Sequence, residues 1–338
     1  VKDQMSMPFF TEIQIPTYSS QLDYSKRMML LGSCFSENIG QKLLDLKFSV
    51  DMNPFGILYN PDSIANSLEI LLAKRNFTAD DLFQDQGIWN SFYHHSRFSD
   101  VDQEKVLERI NERICSSHDF LKKADFLAVT FGTSWVYQLK QTGQVVSNCH
   151  KIPAAGFNRF RLEVEQITNR YSKLLQDLLQ FNPNLKVVFT VSPIRHWKDG
   201  AVENQLSKAT LLLAIDKLIK EFGENTCSYF PSYEIMMDEL RDYRFYAEDM
   251  LHINPVATDY IFGRFCRAMV SDESMEISAM VARITRSVQH RPFNPSSVEY
   301  EKFLRANLAE IEKLNARFPF LDWSEERTHF TQELNKIR

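Results

Sequence analysis

The feature that most constrains this chain is a set of short, continuous apolar runs, each ending on a small residue. Met28-Met29-Leu30-Leu31 runs into Gly32-Ser33, Phe126-Leu127-Ala128-Val129-Thr130-Phe131 into Gly132, and Val187-Val188-Phe189-Thr190-Val191 into Ser192-Pro193. A strand that is apolar at successive positions must be covered on both faces, as strands in a parallel sheet are. Helical spacing fills the chain between the runs. Ile39, Leu43, Leu44 and Leu46 repeat at that spacing over 37–46, and similar patterns occupy 106–124, 162–181 and 202–222, with a further short strand near 227–230. Strands that alternate with helices predict an α/β fold with helices on both faces of a parallel sheet. Sites in such sheets lie beyond the carboxyl ends of the strands. Gly32-Ser33, Gly132-Thr133-Ser134 and Ser192-Pro193 are therefore expected to converge in space.

Two segments break the alternation. Residues 80–100 are rich in aromatics and turn formers, and 137–161 read as a hairpin around Thr142-Gly143; both are expected on the rim. The chain beyond about 272 is helical in pattern, with a breaker at Pro292-Phe293-Asn294-Pro295. With 338 residues, 44% of them apolar, one large core with additions is expected. The net charge of −5 and the absence of a long basic run argue against a nucleic-acid partner. No apolar run approaches the roughly 18 residues of a membrane helix. Val1 to Pro16 lacks a basic stretch followed by an apolar one, so no signal peptide is read and a cytoplasmic location is expected; the chain opens on Val1 rather than Met, which leaves room for a removed leader. Five scattered cysteines with no C-x-x-C pair suit a reducing compartment rather than a disulfide framework or a zinc knuckle. There is no Walker A loop, no G-x-G-x-x-G and no G-x-S-x-G elbow, so no nucleotide cofactor is expected.

Ser33 stands directly after a predicted strand and before a predicted helix. Backbone N–H groups and the helix dipole there can stabilise a developing oxyanion. The plainer reading is that Ser33 caps the helix. Asp249-Met250-Leu251-His252 supplies a second signal: across a D-x-x-H turn the carboxylate can hold Nδ1 of the imidazole, leaving Nε2 for a serine hydroxyl. Either signal alone is weak; together they suggest a Ser33–His252–Asp249 triad. Cys34, at the same helix start, is the alternative nucleophile, since a helix N-terminus favours thiolate. His94, His95, Cys149 and His150 could be read as metal ligands, but adjacent histidines diverge and no H-E-x-x-H occurs, so no metal is expected. Contacts on the rim of a site suit His95 and His150 better. Arg195 and His196, at a strand end, are further rim candidates, with a buried salt bridge as the competing role for Arg195. Trp89, Trp135 and Trp197 suit a pocket wall or the core.

The chain resembles the GSCFA domain family, which lies near the SGNH, or GDSL-like, hydrolases. The resemblance rests on Leu31 to Ser36, Asn53-Pro54-Phe55-Gly56, Phe131 to Tyr137, Asn148 to Lys151, Thr190 to His196 and Asp249 to His252. Ser36 stands where the family's namesake motif has alanine. The resemblance implies a flavodoxin-like three-layer α/β/α sandwich over residues 1–271, with a helical extension packed on it over 272–338. It implies Ser33 as nucleophile, His252 as base with Asp249 behind it, and an oxyanion hole from the N–H groups of Ser33 and Gly56. In the asparagine position of the G-x-N-D block the chain carries Ser134, so a hydroxyl of Ser134 or Thr133 would have to donate. The implied reaction is hydrolysis of a small-molecule or carbohydrate acyl ester without a cofactor. An acyltransferase with the same residues and a binding module that keeps only the fold are the alternatives.

Overall fold

The computed structural model describes residues 11–337, so the part of the leader reading that falls on Val1 to Phe10 lies outside the described residues. The chain opens with β1 (Arg27–Gly32), α1 (Cys34–Asp45), β2 (Ser49–Met52) and α2 (Pro61–Ala73). A small hairpin of β3 (Phe83–Asp85) and β4 (Ile88–Asn90) leads to α3 (Gln103–Leu121) and β5 (Phe126–Phe131). β6 (Trp135–Leu139), β7 (Val145–Val146) and β8 (Phe157–Arg161) make a separate antiparallel sheet. Then come α4 (Val164–Phe181), β9 (Lys186–Val191), α5 (Gly200–Phe222), β10 (Cys227–Tyr229), the short α6 (Ser232–Glu234) and α7 (Pro255–Met269). α8 (Asp272–Val288), α9 (Val298–Arg317) and α10 (Ser324–Ile337) follow.

The central sheet has five parallel strands in the order β2-β1-β5-β9-β10. Counted within the sheet, this is the flavodoxin-like 2-1-3-4-5 order, whose direction of winding reverses between β1 and β5. The register places Gly32 beside Thr130 and Thr130 beside Thr190, so the three small-residue strand ends lie side by side. The alternation along β1 sends Met29 and Leu31 to one face, against α2, α3, α4 and α5, and Met28 and Leu30 to the other, against α1 and α7. Three layers result, with helices on both faces as the apolar runs require. β2 is one of the elements that sequence patterning does not reveal. Its Asp51 is buried and pairs with Arg113 of α3, so a charged residue sits inside an edge strand and makes the segment read as loop.

The helical extension has its own apolar core, in which Val281, Leu304, Ile311, Trp323 and Phe330 are buried. It docks beside the α1–β2 corner: Lys47 Nζ lies 2.8 Å from Glu326 and 5.0 Å from the Trp323 ring, and Tyr24 stacks on Phe48 while also meeting Phe320.

Within the aromatic segment that precedes α3, His94 is a core residue. Its ring stacks on Phe55 at 4.7 Å, meets Phe77 edge-on at 5.1 Å, and its Nδ1 shares a 2.9 Å hydrogen bond with the Ser91 hydroxyl. Burial holds it neutral and pushes its pKa down to about 3. The folded value lies below the unfolded one, so the unfolded chain takes up the proton first. Stability is therefore expected to fall as pH drops below about 6.5 and to level off near the folded value, with about 2 kcal/mol lost to this group between pH 7 and pH 5. Urea titrations at the two pH values check this. The loss should shrink by that amount in His94→Gln, and an identical pH dependence in the variant would refute the assignment.

Candidate active site

Ser33 is buried at the end of β1 and is the N-cap of α1, its Oγ accepting the Phe35 N–H at 3.3 Å. Gly32 makes the turn possible. Its φ is +143°, and a Cβ there would lie 2.3 Å from the Thr130 carbonyl oxygen. The Gly32 N–H donates to Asn53 Oδ1 at 2.9 Å, while its carbonyl accepts the Leu58 N–H at 2.9 Å. Segment 53–58 thus clamps the turn from one side. From the other side, the Ser36 hydroxyl donates to Thr130 Oγ1 at 2.6 Å, tying the first turn of α1 to β5. The residue that departs from the namesake motif therefore adds a buried interlayer hydrogen bond.

Asp249 and His252 pair in the loop before α7. His252 Nδ1 lies 2.5 Å from Asp249 Oδ2, and Asp249 Oδ1 accepts the backbone N–H groups of Leu251 and His252 at 3.0 and 2.9 Å. These hydrogen bonds, led by that from His252, hold the Asp249 carboxyl down at about 2. Among the described residues the pairing leaves Nε2 of His252 without a hydrogen bond. Ser33 and His252 share the wall of one cleft of ≈ 620 Å³, together with Tyr59, Asn60, Thr133 and His196. Among the described residues no hydrogen bond joins Ser33 to His252; Ser33 Oγ is engaged with its own helix and the His252 side chain is more than half exposed.

The expected donors fare unequally. The Gly56 N–H donates to the Asn53 carbonyl at 2.8 Å within its own turn, and Gly56 is absent from the cleft wall. Its positive φ of +83° serves a close approach instead, because a Cβ would fall 2.2 Å from His95 Cβ. Gly56 is thus a packing glycine rather than an oxyanion donor. Ser134 is fully buried behind the cleft and donates both its N–H and its hydroxyl to Ser207 Oγ, at 2.8 and 3.0 Å. It too is withdrawn from the oxyanion role. Thr133 stays on the wall, its Oγ1 3.0 Å from the same Ser207 oxygen. Asn60 is the residue that sequence reading overlooks. Its Oδ1 caps α2 through Ser63 N–H at 2.8 Å, and among the described residues its Nδ2 meets no acceptor. The sequence signal for it was Asn60-Pro61, an N-cap followed by proline at the start of a helix.

His95 and His196 line the cleft, and His150 does not: its Nε2 bonds the Ser91 carbonyl at 2.8 Å behind the wall, correcting its assignment to the rim. Trp135 and Trp197 are on the wall, and Trp89 packs against the core. Arg195 makes no ion pair and no hydrogen bond among the described residues, so the salt-bridge reading falls away, and its guanidinium stacks on Trp197 at 4.8 Å.

A lysine lies buried behind the strand ends. Lys208 is fully buried and donates to the carbonyls of Gly132 and Ser192 at 2.8 and 2.7 Å, bridging the ends of β5 and β9; burial draws its pKa down to about 7. Burial also brings His196 down to about 4, so it is neutral at pH 7. Burial pushes the Cys34 thiol up, outweighing the nearby N–H groups of the helix start. Cys34 is therefore a thiol at neutral pH, contrary to the thiolate that its position suggests. All five cysteines are free. Among the described residues, no group of three or more His, Cys, Asp or Glu side chains could hold a metal ion, and no helix is long and apolar enough to cross a membrane.

A five-stranded flavodoxin-like sheet with its cleft at the β1/β5 reversal defines an α/β/α sandwich whose site faces the strand ends. The family profile described as GSCFA family matches residues 27–265, and that described as GSCFA domain protein, C-terminal domain, matches 281–336. The chain belongs to the GSCFA family. No curated protein matches it. Among solved structures, an acetyl xylan esterase from the rumen bacterium Butyrivibrio proteoclasticus is similar at 12% identity and a TM-score of 0.37, over 75% of this chain and 64% of that one. A carbohydrate esterase family 3 protein from Talaromyces cellulolyticus is similar at 11% identity and a TM-score of 0.35, over 75% of this chain and 98% of that one. This chain thus spans less than two thirds of the length of the first of these esterases.

Proposed function

We propose that this protein hydrolyses an acyl ester, with a carbohydrate O-acetyl group as the favoured substrate class. The observation that carries the reading is His252, held by Asp249 from behind and set on the wall of the cleft that also holds Ser33 at a helix N-terminus. In this reading Ser33 Oγ leaves its bond to Phe35 N–H and attacks the ester carbonyl. His252 Nε2 takes the hydroxyl proton and returns it to the leaving alcohol, while Asp249 holds the tautomer and stabilises the imidazolium. Water repeats the cycle on the acyl-enzyme. The negative charge on the carbonyl oxygen meets the Ser33 N–H, the positive end of α1 and the amide of Asn60, which we assign in place of Gly56 and Ser134. We also propose that residues 1–271 form the catalytic unit and 272–338 a helical extension.

Turnover of a short aryl acetate and of an acetylated sugar by the purified chain tests the reading. Asp249→Asn is expected to lower kcat by about a hundredfold, less than for a buried triad aspartate because solvent screens this exposed pair. A protein that cleaves neither ester, or an Asp249→Asn variant as active as the parent, would sink the proposal. Asn60→Asp separates its two duties. The carboxylate still caps α2 but cannot donate, so kcat should fall by about a hundredfold while the thermal midpoint holds. An unchanged kcat would remove Asn60 from the oxyanion role.

A further inference from the structure

A second cavity of ≈ 520 Å³ adjoins the cleft, with Arg195, Trp197 and Leu251 on the walls of both. The D-x-x-H loop divides the two: Asp249 faces the second cavity and His252 the first. We propose that the second cavity is a subsite for a sugar ring bearing an anionic oxygen group, a carboxylate or a phosphate, and that Arg195 reads that group. The inference rests on the esterase reading of the adjoining cleft and supplies the alcohol side of its substrate.

The argument begins with charge. Four charged side chains line the cavity. Arg241 pairs with Asp238 at 2.7 Å, Asp242 accepts the Arg244 N–H at 2.9 Å, and Asp249 is held by His252. Arg195 alone has no partner among the described residues, and its Nε is shut off from solvent. Its Nη groups stay open to the cavity with no counter-ion among the described residues, and the planar guanidinium fork matches the two oxygens of a carboxylate or phosphate. The ligand that completes this site is therefore an anion.

The rest of the wall selects what carries the anion. Trp197, Tyr243 and Met250 are large apolar side chains left 44%, 75% and 51% exposed around this one cavity. Such a cluster marks a binding surface. Aromatic faces beside a polar reader suit a ring with an apolar face and a charged substituent, and the volume suits one or two sugar units. An acyl group at Ser33 with its alcohol reaching across Leu251 would bring that ring between Trp197 and Tyr246.

Calorimetric titration of the full chain with glucuronate, glucose 6-phosphate and glucose tests the proposal without turnover. At least one anion should bind ten- to a hundredfold more tightly than glucose, the range for a charge-assisted bidentate pair. The tighter of the two identifies carboxylate or phosphate as the source. Arg195→Gln should abolish the preference and Arg195→Lys should restore part of it. If Arg195→Gln does not fold, the wild-type preference should still weaken as salt rises. Equal affinity for glucose and both anions, or anion binding unchanged in a folded Arg195→Gln, would overturn the inference. The two readings fail separately: an active esterase with no anion preference overturns this one alone, and an inactive chain that still selects anions overturns the esterase reading alone.

Discussion

Replacing Ser33 by alanine is expected to lower kcat/KM for a short aryl ester by about 10⁴-fold or more, and Cys34→Ala is expected to leave it within a few-fold. The first magnitude follows from removing a nucleophile whose partners act only through it; what remains is binding and oxyanion stabilisation. The second follows from the state of the thiol. Cys34 borders the same cleft and lies at the same helix start, so position alone does not choose between the two nucleophiles. In the proposed reading the state of the thiol favours the serine, because burial raises the Cys34 thiol and removes the thiolate that would make it the stronger nucleophile. A serine hydroxyl needs no such ionisation, only a base that takes its proton as it attacks. Steady-state kinetics on the two variants, with a serine-directed phosphonate probe and mass mapping of the label, checks the assignment. Label on Cys34, or full activity in Ser33→Ala, would transfer the chemistry to the thiol.

Gly32→Ala should cost about 3–5 kcal/mol of stability, a large share of the roughly 5–15 kcal/mol that holds an ordinary domain. Two penalties combine. An alanine at φ +143° is strained, and its Cβ would lie 2.3 Å from the Thr130 carbonyl oxygen and 2.8 Å from Thr130 Cβ, both on the neighbouring strand at the centre of the sheet. Relief requires β1 and β5 to separate where Ser36 and Asn53 hold the turn. Gly143 is the control. It also has positive φ, +71°, but a Cβ there meets nothing within 4 Å. Gly143→Ala should therefore cost only about 1 kcal/mol, the backbone preference alone. Urea midpoints of the two variants give the comparison, and equal losses would show that strain rather than crowding governs Gly32.

Much of the fold was legible because its strands are buried on both faces. β1, β5 and β9 are apolar without interruption, and each ends on a small residue at the place where the chain turns into the cleft. The long helices α3 and α4 carry apolar stripes of the right period, while the buried face of α5 turns apolar only from Leu211 onward. β2 and α2 were not legible. Asp51 in β2 depends on Arg113 from a distant helix, and α2 follows the segment 53–60, whose residues look like loop until Asn60 is recognised as a cap.

The candidate site divides in the same way. From sequence alone came the order of its parts: a serine after the first strand, and a D-x-x-H whose three-residue spacing lets one carboxylate reach both its own backbone and the imidazole. Those are local properties, set by bonds between near neighbours in the chain. The tertiary structure decided which groups remain available. Gly56 and Ser134 have the right chemistry for an oxyanion hole, yet one gives its N–H to the Asn53 carbonyl and the other its hydroxyl to Ser207, 73 residues away. Asn60 and Arg195 keep donors without acceptors because no side chain elsewhere in the described fold reaches them. A hydrogen-bond donor's role depends on which acceptor arrives first, and only packing brings distant acceptors within reach.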